Sequence, residues 1–340
     1  MTIENKISKL LSSFPHVQLM TQVTPIEKLR SISKLLNINL LIKRDDMSSL
    51  GFGGNKIRQL EFYIGEAVRN KADTILITGA VQSNFVRATA AVAAKYGMKS
   101  IIQLEERVPD MSDQYYESGN ILLSKILEAE FMSYPEGEDE IGADRALHDK
   151  ANELRKRGRN PYIINLGISH PPIGAFGYML CAEEIFKQNI ELDMIVVASG
   201  SGLTHAGLIA GARLLKYDTP IHGICVRRNQ TLQEDRIATV LDKIEDLISK
   251  KINHTLDDIN VWDTALSPGY GQISEKTLNA LNLMARKEGV FLDPVYTAKT
   301  FSGLLDLVDQ GIIRKNQTVL MMHTGGLPAI FGYEQKILLQ

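Results

Sequence analysis

Residues 194–207 read Met-Ile-Val-Val-Ala-Ser-Gly-Ser-Gly-Leu-Thr-His-Ala-Gly, and their order decides the fold. Met194–Ala198 is a short β-branched, apolar run of the kind that forms a strand buried on both faces. It runs through a glycine- and serine-rich turn, Ser199–Thr204, into Leu203–Leu215, whose apolar residues recur at helical spacing. Another apolar run, Ile221–Val226, follows at once and completes a βαβ unit. Outward from it, Asn39–Ile42, Thr74–Thr78, Lys99–Leu104, Tyr162–Asn165 and Thr318–His323 also read as buried strands. Helices are expected over Leu60–Val68, Ala88–Lys95, Ile121–Leu127, Ala143–Arg157, Phe176–Gln188, Leu232–Ser249, Lys276–Arg286 and Lys299–Val308. Strands alternating with helices predict an α/β fold of parallel sheets flanked by helices, in which ligands sit at the carboxyl ends of the strands. The strand-to-helix turns are therefore where chemistry is expected.

The chain has 340 residues, 44% of them hydrophobic, and 38 Lys+Arg against 40 Asp+Glu leave a formal charge of −2. A chain of this length buries a sizeable core without disulfide or metal staples and suggests two domains. Its balanced, interspersed charge lacks the basic footprint of nucleic-acid binders, and with Trp262 the single tryptophan it offers no aromatic platform for bases. Cys181 and Cys225 show neither CxxC spacing nor clustered histidines, so no metal is expected and a reducing, cytoplasmic compartment is. Glu4, Lys6 and Lys9 interrupt the amino-terminal apolar residues, and no run approaches the roughly 18 apolar residues of a membrane span, so neither export nor a membrane partner is expected. The most polar stretch, Pro135–Asp144, reads as a solvated loop ahead of a helix.

Three turns carry side chains suited to a site. Gly51-Phe52-Gly53-Gly54-Asn55-Lys56 opens a helix, and its glycines permit close backbone approach; it is not a Walker loop, because Asn55 intervenes between Gly54 and Lys56, and Ile57 follows in place of Ser/Thr. A lysine in a helix's first turn is ordinarily solvated, yet its charge opposes the helix dipole, so Lys56 there calls for compensation. In Thr78-Gly79-Ala80-Val81-Gln82-Ser83-Asn84, Ser83 or Asn84 serves as an ordinary helix cap or as a donor to a ligand's ring oxygen or carboxylate. Ser199, Gly200, Ser201, Gly202, Leu203 and Thr204 present successive backbone N–H groups at a helix start, an anion nest. Its spacing, with His205 in the place of a third glycine, fails the dinucleotide fingerprint and favours a monophosphate over a pyrophosphate. Pro268-Gly269-Tyr270-Gly271, Asp293-Pro294-Val295-Tyr296-Thr297 and His323-Thr324-Gly325-Gly326 lie later in the chain. No nucleophile elbow, zinc motif, Ser–His–Asp order or carboxylate pair at helical spacing is found.

Taken in order, Gly53-Gly54-Asn55-Lys56, Gln82-Ser83-Asn84, the glycine turn, Pro268–Gly271, Asp293–Tyr296 and His323–Gly326 resemble the D-cysteine desulfhydrase and 1-aminocyclopropane-1-carboxylate (ACC) deaminase family, over nearly the whole chain. The resemblance implies a two-domain pyridoxal-phosphate (PLP) fold type II, with residues 1–55 plus 165–340 as a large cofactor-binding domain and 56–164 as a smaller inserted one. It implies that Lys56 is the Schiff-base lysine, that Asn84 meets the cofactor's phenolic oxygen and that Ser199–Thr204 hold its phosphate. Ser83, Asn84, Phe85, Tyr270 and Tyr296 fall on the substrate side, with Ser83, Tyr270 and Tyr296 joining Lys56 as catalytic residues. A homodimer acting on a small amino acid is also implied.

ACC deaminases of this family carry Glu and Leu where this chain has Thr297 and Thr324, so a neutral hydroxyl facing the pyridine nitrogen points to β-elimination, with D-cysteine as substrate. The same resemblance leaves ACC deaminase, L-cysteate sulfo-lyase, another β-substituted amino-acid lyase and a racemase as alternatives. Phe85 and Gln59 depart from the residues common in relatives, and a catalytically silent PLP-binding protein is the reading they motivate. Arg227-Arg228 at a strand end motivate another, an NADP-dependent oxidoreductase with a 2′-phosphate site.

Overall fold

The structure is a computed structural model that describes residues 5–338. Among the described residues ten strands form two sheets: β1 (Ile26–Lys28), β2 (Asn39–Arg44), β3 (Thr74–Ala80), β4 (Lys99–Glu105), β5 (Glu130–Tyr134), β6 (Pro161–Ile164), β7 (Met194–Ser199), β8 (Ile221–Cys225), β9 (Asn260–Trp262) and β10 (Thr318–His323). The six-stranded sheet has the order β1-β2-β10-β7-β8-β9 and is parallel except for β1, which pairs antiparallel to β2. The four-stranded sheet, β5-β4-β3-β6, is parallel throughout and lies wholly between β2 and β7 in sequence. Parallel strands need helical crossovers on both faces, which is why β3, β8 and β10 carry almost nothing but buried residues.

All seven strands read from the sequence are present, with ends shifted by up to two residues. The three that the reading missed, β1, β5 and β9, are sheet edges whose residues are half-buried or exposed in the main, so they carry no continuous apolar run. The predicted helices are also present, but most begin earlier than their apolar spacing shows. The one after β2 starts at Asn55 and the one after β3 at Asn84, because their first turns are occupied by cleft-facing polar residues. The solvated loop expected over Pro135–Asp144 ends sooner: Asp139 caps a helix over Glu140–Lys156 by accepting from Gly142 N, so Glu140 and Asp144 are helical.

The Asn55–Arg69 helix packs against the helices Asn84–Lys95 and Phe176–Lys187, and every residue from Ile57 to Gly65 is buried. Its start is tied to both neighbouring strand ends: Gly54 N donates to Asp45 O (3.0 Å) and Asn55 N to Thr324 O (3.0 Å). Gly54 has φ +101°, and a Cβ on it would lie 2.8 Å from Thr324 O, so only glycine lets these turns meet. Beneath lies a buried charge cluster. Arg58 grips Asp45 through Nε (3.1 Å) and Nη2 (2.9 Å) and reaches Glu184 through Nη1 (2.9 Å); Lys43 pairs with Glu184, and Tyr178 donates to Asp45 (2.5 Å). Burial would raise the Asp45 pKa, but Arg58 outweighs it and holds the carboxyl below its usual range.

Candidate active site

The turns after β2, β7 and β10 in one sheet and after β3 and β4 in the other open on one cleft, lined by Lys56, Ser83, Asn84, Gly200, Ser201, Gly202, Thr204, Tyr270, Tyr296 and Thr324 among others. Two sheets facing each other through their carboxyl ends thus bring together segments more than 250 residues apart.

The Lys56 amine lies 4.8 Å from the centre of the Phe85 ring and 3.4 Å from Gln59 Oε1. Burial pulls its pKa down from 10.5 to about 8. A half-buried ammonium with no acid beside it is disfavoured, so a sizeable neutral, nucleophilic fraction exists near pH 8. The neutral fraction grows from about a tenth at pH 7 to about nine-tenths at pH 9. Reaction of this amine with an added aldehyde should therefore accelerate through pH 8 and level off. Stopped-flow absorbance during cofactor loading checks it, and a rate still climbing about tenfold per pH unit between 9 and 10 would contradict the environment described.

Thr204 Oγ1 accepts from Asn55 Nδ2 (3.0 Å) and Gln59 Nε2 (2.9 Å), which leaves the hydroxyl hydrogen to donate into the cleft. Gln59 is thus a bridge between Lys56 and Thr204. Gly202 takes a left-handed φ of +93° ahead of the Leu203–Leu214 helix, as an anion nest requires. Ser199 and Leu203 stand apart from the cleft wall. Burial drives the His205 pKa down to about 4, so the ring is neutral; with Nε2–H donating to Ile221 O (3.0 Å), Nδ1 accepts from Ser199 Oγ (3.2 Å).

Ser83 caps the Asn84–Lys95 helix, its Oγ accepting from Phe85 N (3.2 Å) and Val86 N (3.5 Å), and it also faces the cleft. The capping and binding readings are compatible, since the capping oxygen retains a hydroxyl hydrogen to donate. Asn84 is oriented by a chain of bonds: Arg87 Nε donates to Asn120 Oδ1 (3.1 Å) and Asn120 Nδ2 to Asn84 Oδ1 (2.9 Å). Arginine only donates, so the flips of both amides follow, and Asn84 Nδ2 is the donor on the cleft side.

The Tyr270 and Tyr296 hydroxyls share a hydrogen bond of 2.7 Å, and burial keeps Tyr296 protonated. Thr324 lines the cleft, whereas Thr297 is fully buried with Oγ1 donating to Asp293 Oδ1 (2.7 Å). The sequence reading missed Glu105, Arg107, Glu140, Asp144 and Arg236, which also line the cleft. Glu140 and Asp144, four apart on one helix face, were the available signal. Arg227 and Arg228 pair with Glu140, and Arg227 also with Glu138.

The donor set fits a phosphorylated aldehyde: a nest of N–H groups with the Thr204 hydroxyl for the phosphate, a near-neutral amine for the carbonyl and an amide donor for a ring oxygen. The chain belongs to the pyridoxal-phosphate dependent enzyme family, whose model matches residues 17–325. It is 38% identical to a D-cysteine desulfhydrase of Yersinia enterocolitica, across 99% of this chain and 100% of that one, and 38% identical to one of Serratia proteamaculans across 97% and 99%. Its structure superposes on a crystal structure of an ACC deaminase homologue with a TM-score of 0.89 and 35% identity, covering 99% of both chains. It superposes on an O-ureido-L-serine synthase with a TM-score of 0.64 and 15% identity, a likeness of fold. The fold is the α/β arrangement of PLP fold type II.

Proposed function

We propose that the protein is a PLP-dependent β-eliminating lyase that converts D-cysteine and water to pyruvate, sulfide and ammonia. The observation that carries the reading is the Lys56 amine, held without a neighbouring acid in the same cleft as the glycine turn and linked to its Thr204 through Gln59. The full-length relatives named D-cysteine desulfhydrase give the substrate. Bound at Lys56, pyridoxal phosphate supplies an electron sink for the pair left on the substrate's α-carbon. The turn Gly200–Thr204 holds the phosphate by backbone N–H groups and the Thr204 hydroxyl, and Asn84 Nδ2 donates to the ring oxygen. Ser83, at a helix amino terminus, donates to the substrate carboxylate, where the helix dipole also favours negative charge. The Lys56 amine would take the substrate's α-proton as general base. The hydrogen-bonded Tyr270–Tyr296 pair supplies a proton to the departing sulfur. Thr324, on the cleft wall, takes the neutral hydroxyl role beside the pyridine nitrogen; Thr297 supports the turn through Asp293.

Two domains go with this reading: residues 1–55 plus 165–340 around the six-stranded sheet, and 56–164 around the four-stranded one. A cytoplasmic homodimer does too, supported by buried free Cys181 and Cys225 and by exposed apolar side chains such as Phe52, Leu122, Ile126 and Phe331. Among the described residues no helix is long and apolar enough to cross a membrane.

The purified enzyme should release pyruvate and sulfide together from D-cysteine, and pyruvate from β-chloro-D-alanine. Parallel incubations with L-cysteine, L-cysteate and ACC, assayed also for 2-oxobutyrate, check the assignment. Turnover of ACC alone would replace it with the deaminase reading, and cofactor binding without any product would leave a silent binding protein.

A further inference from the structure

Two carbonyl groups of the glycine turn accept from side chains. Gly200 O accepts from Arg228 Nη1 (3.1 Å) and Gln233 Nε2 (3.1 Å), and Ser201 O accepts from Arg236 Nε (2.9 Å). Because a trans peptide is planar, its carbonyl and the following N–H point in opposite directions. Gly200 O is held by Arg228 and Gln233, which stand off the cleft wall, and this aims Ser201 N–H into the cleft; Arg236 fixes the next peptide through Ser201 O. Gln233 is fully buried and also donates to Ser199 Oγ (2.9 Å), so one amide fixes two successive residues of the turn. Arg227, Arg228 and Arg236 converge on the Glu140 carboxylate, with contacts of 2.9, 2.5 and 3.5 Å, and Glu138 also pairs with Arg227.

We propose that Arg228, Gln233 and Arg236 are positioning residues for the cofactor phosphate, acting through the peptide groups of the glycine turn. This rests on the reading that the turn takes the phosphate. Arg228 and Gln233 do not line the cleft, and Arg236 meets the turn through Ser201 O, so their effect is expected at ligands that carry the phosphate. The Glu140 contact also ties the nest to the helix that follows the four-stranded sheet's outer strand.

The test uses the full chain freed of cofactor and titrated with pyridoxal 5′-phosphate and with pyridoxal, comparing wild type, Arg236→Met and Gln233→Leu. Losing one charge-assisted bond should weaken the phosphate ester about tenfold or more while pyridoxal changes by less than about twofold. The ³¹P resonance of the bound ester should move in both variants. Equal weakening of both ligands, or an unchanged ester, overturns the proposal. Gln233→Leu keeps the test decisive should Arg236→Met fold poorly, and thermal midpoints identify that case. A wild type that binds the two ligands equally well would instead refute the phosphate reading of the turn, before any variant is made.

Discussion

Lys56→Ala should lower sulfide release from D-cysteine by about a thousandfold or more while leaving the fold intact. The variant loses both the amine that bonds to the aldehyde and the base that takes the α-proton, and a positioned base alone contributes about a hundred- to ten-thousandfold. Nothing in the core depends on the amine, whose contacts are the Phe85 ring and Gln59 at the cleft wall. The ammonium is costly where it lies, so its removal should leave the thermal midpoint unchanged or raise it. Borohydride treatment followed by denaturation separates the causes: wild type retains the reduced cofactor on the chain and the variant releases it. Wild-type sulfide release from the variant would remove Lys56 from the mechanism.

Arg58→Met should be the most damaging change outside the cleft, costing about 3–5 kcal/mol, because it strands the Asp45 carboxylate where no water reaches. Asp45 would keep the Tyr178 and Thr24 hydroxyls, but neither replaces the two-pronged arginine. The effect should reach the site, since Asp45 O also receives Gly54 N at the start of the helix that carries Lys56. Chemical denaturation of Arg58→Met beside Lys56→Ala makes the contrast: one variant loses stability, the other activity. A midpoint for Arg58→Met within about 1 kcal/mol of wild type would mean that the cluster is not the tie described. The cluster also makes stability depend on pH. Asp45 titrates below its unfolded value, so its contribution is present above the ordinary carboxylate range and is lost as pH falls through the depressed one.

What was legible in the sequence follows burial. Interior strands such as Thr318–His323 carry unbroken apolar runs because helices cover both faces, and they were readable to within a residue or two. Ile26–Lys28 and Asn260–Trp262, paired on one side only, were not. Turn chemistry was legible where a motif is contiguous, as at Gly53–Lys56. It was not where a function is shared across the chain. The Asn120 amide that orients Asn84, and Gln233 behind the glycine turn, lie more than 30 residues from the groups they hold. Ser199 and Thr297 show the converse: both sit inside recognisable motifs, yet their hydroxyls are spent on His205 and Asp293.

The large sheet ends at both sides in a three-residue strand, β1 and β9. A strand that short offers few unpaired backbone groups, and β1 runs against the direction of its neighbours. The sheet is thus a poor template for strand addition by another chain, which protects a long parallel core from edge-to-edge aggregation. Self-association of this protein should accordingly proceed through side-chain faces, and it should leave the sheet order untouched.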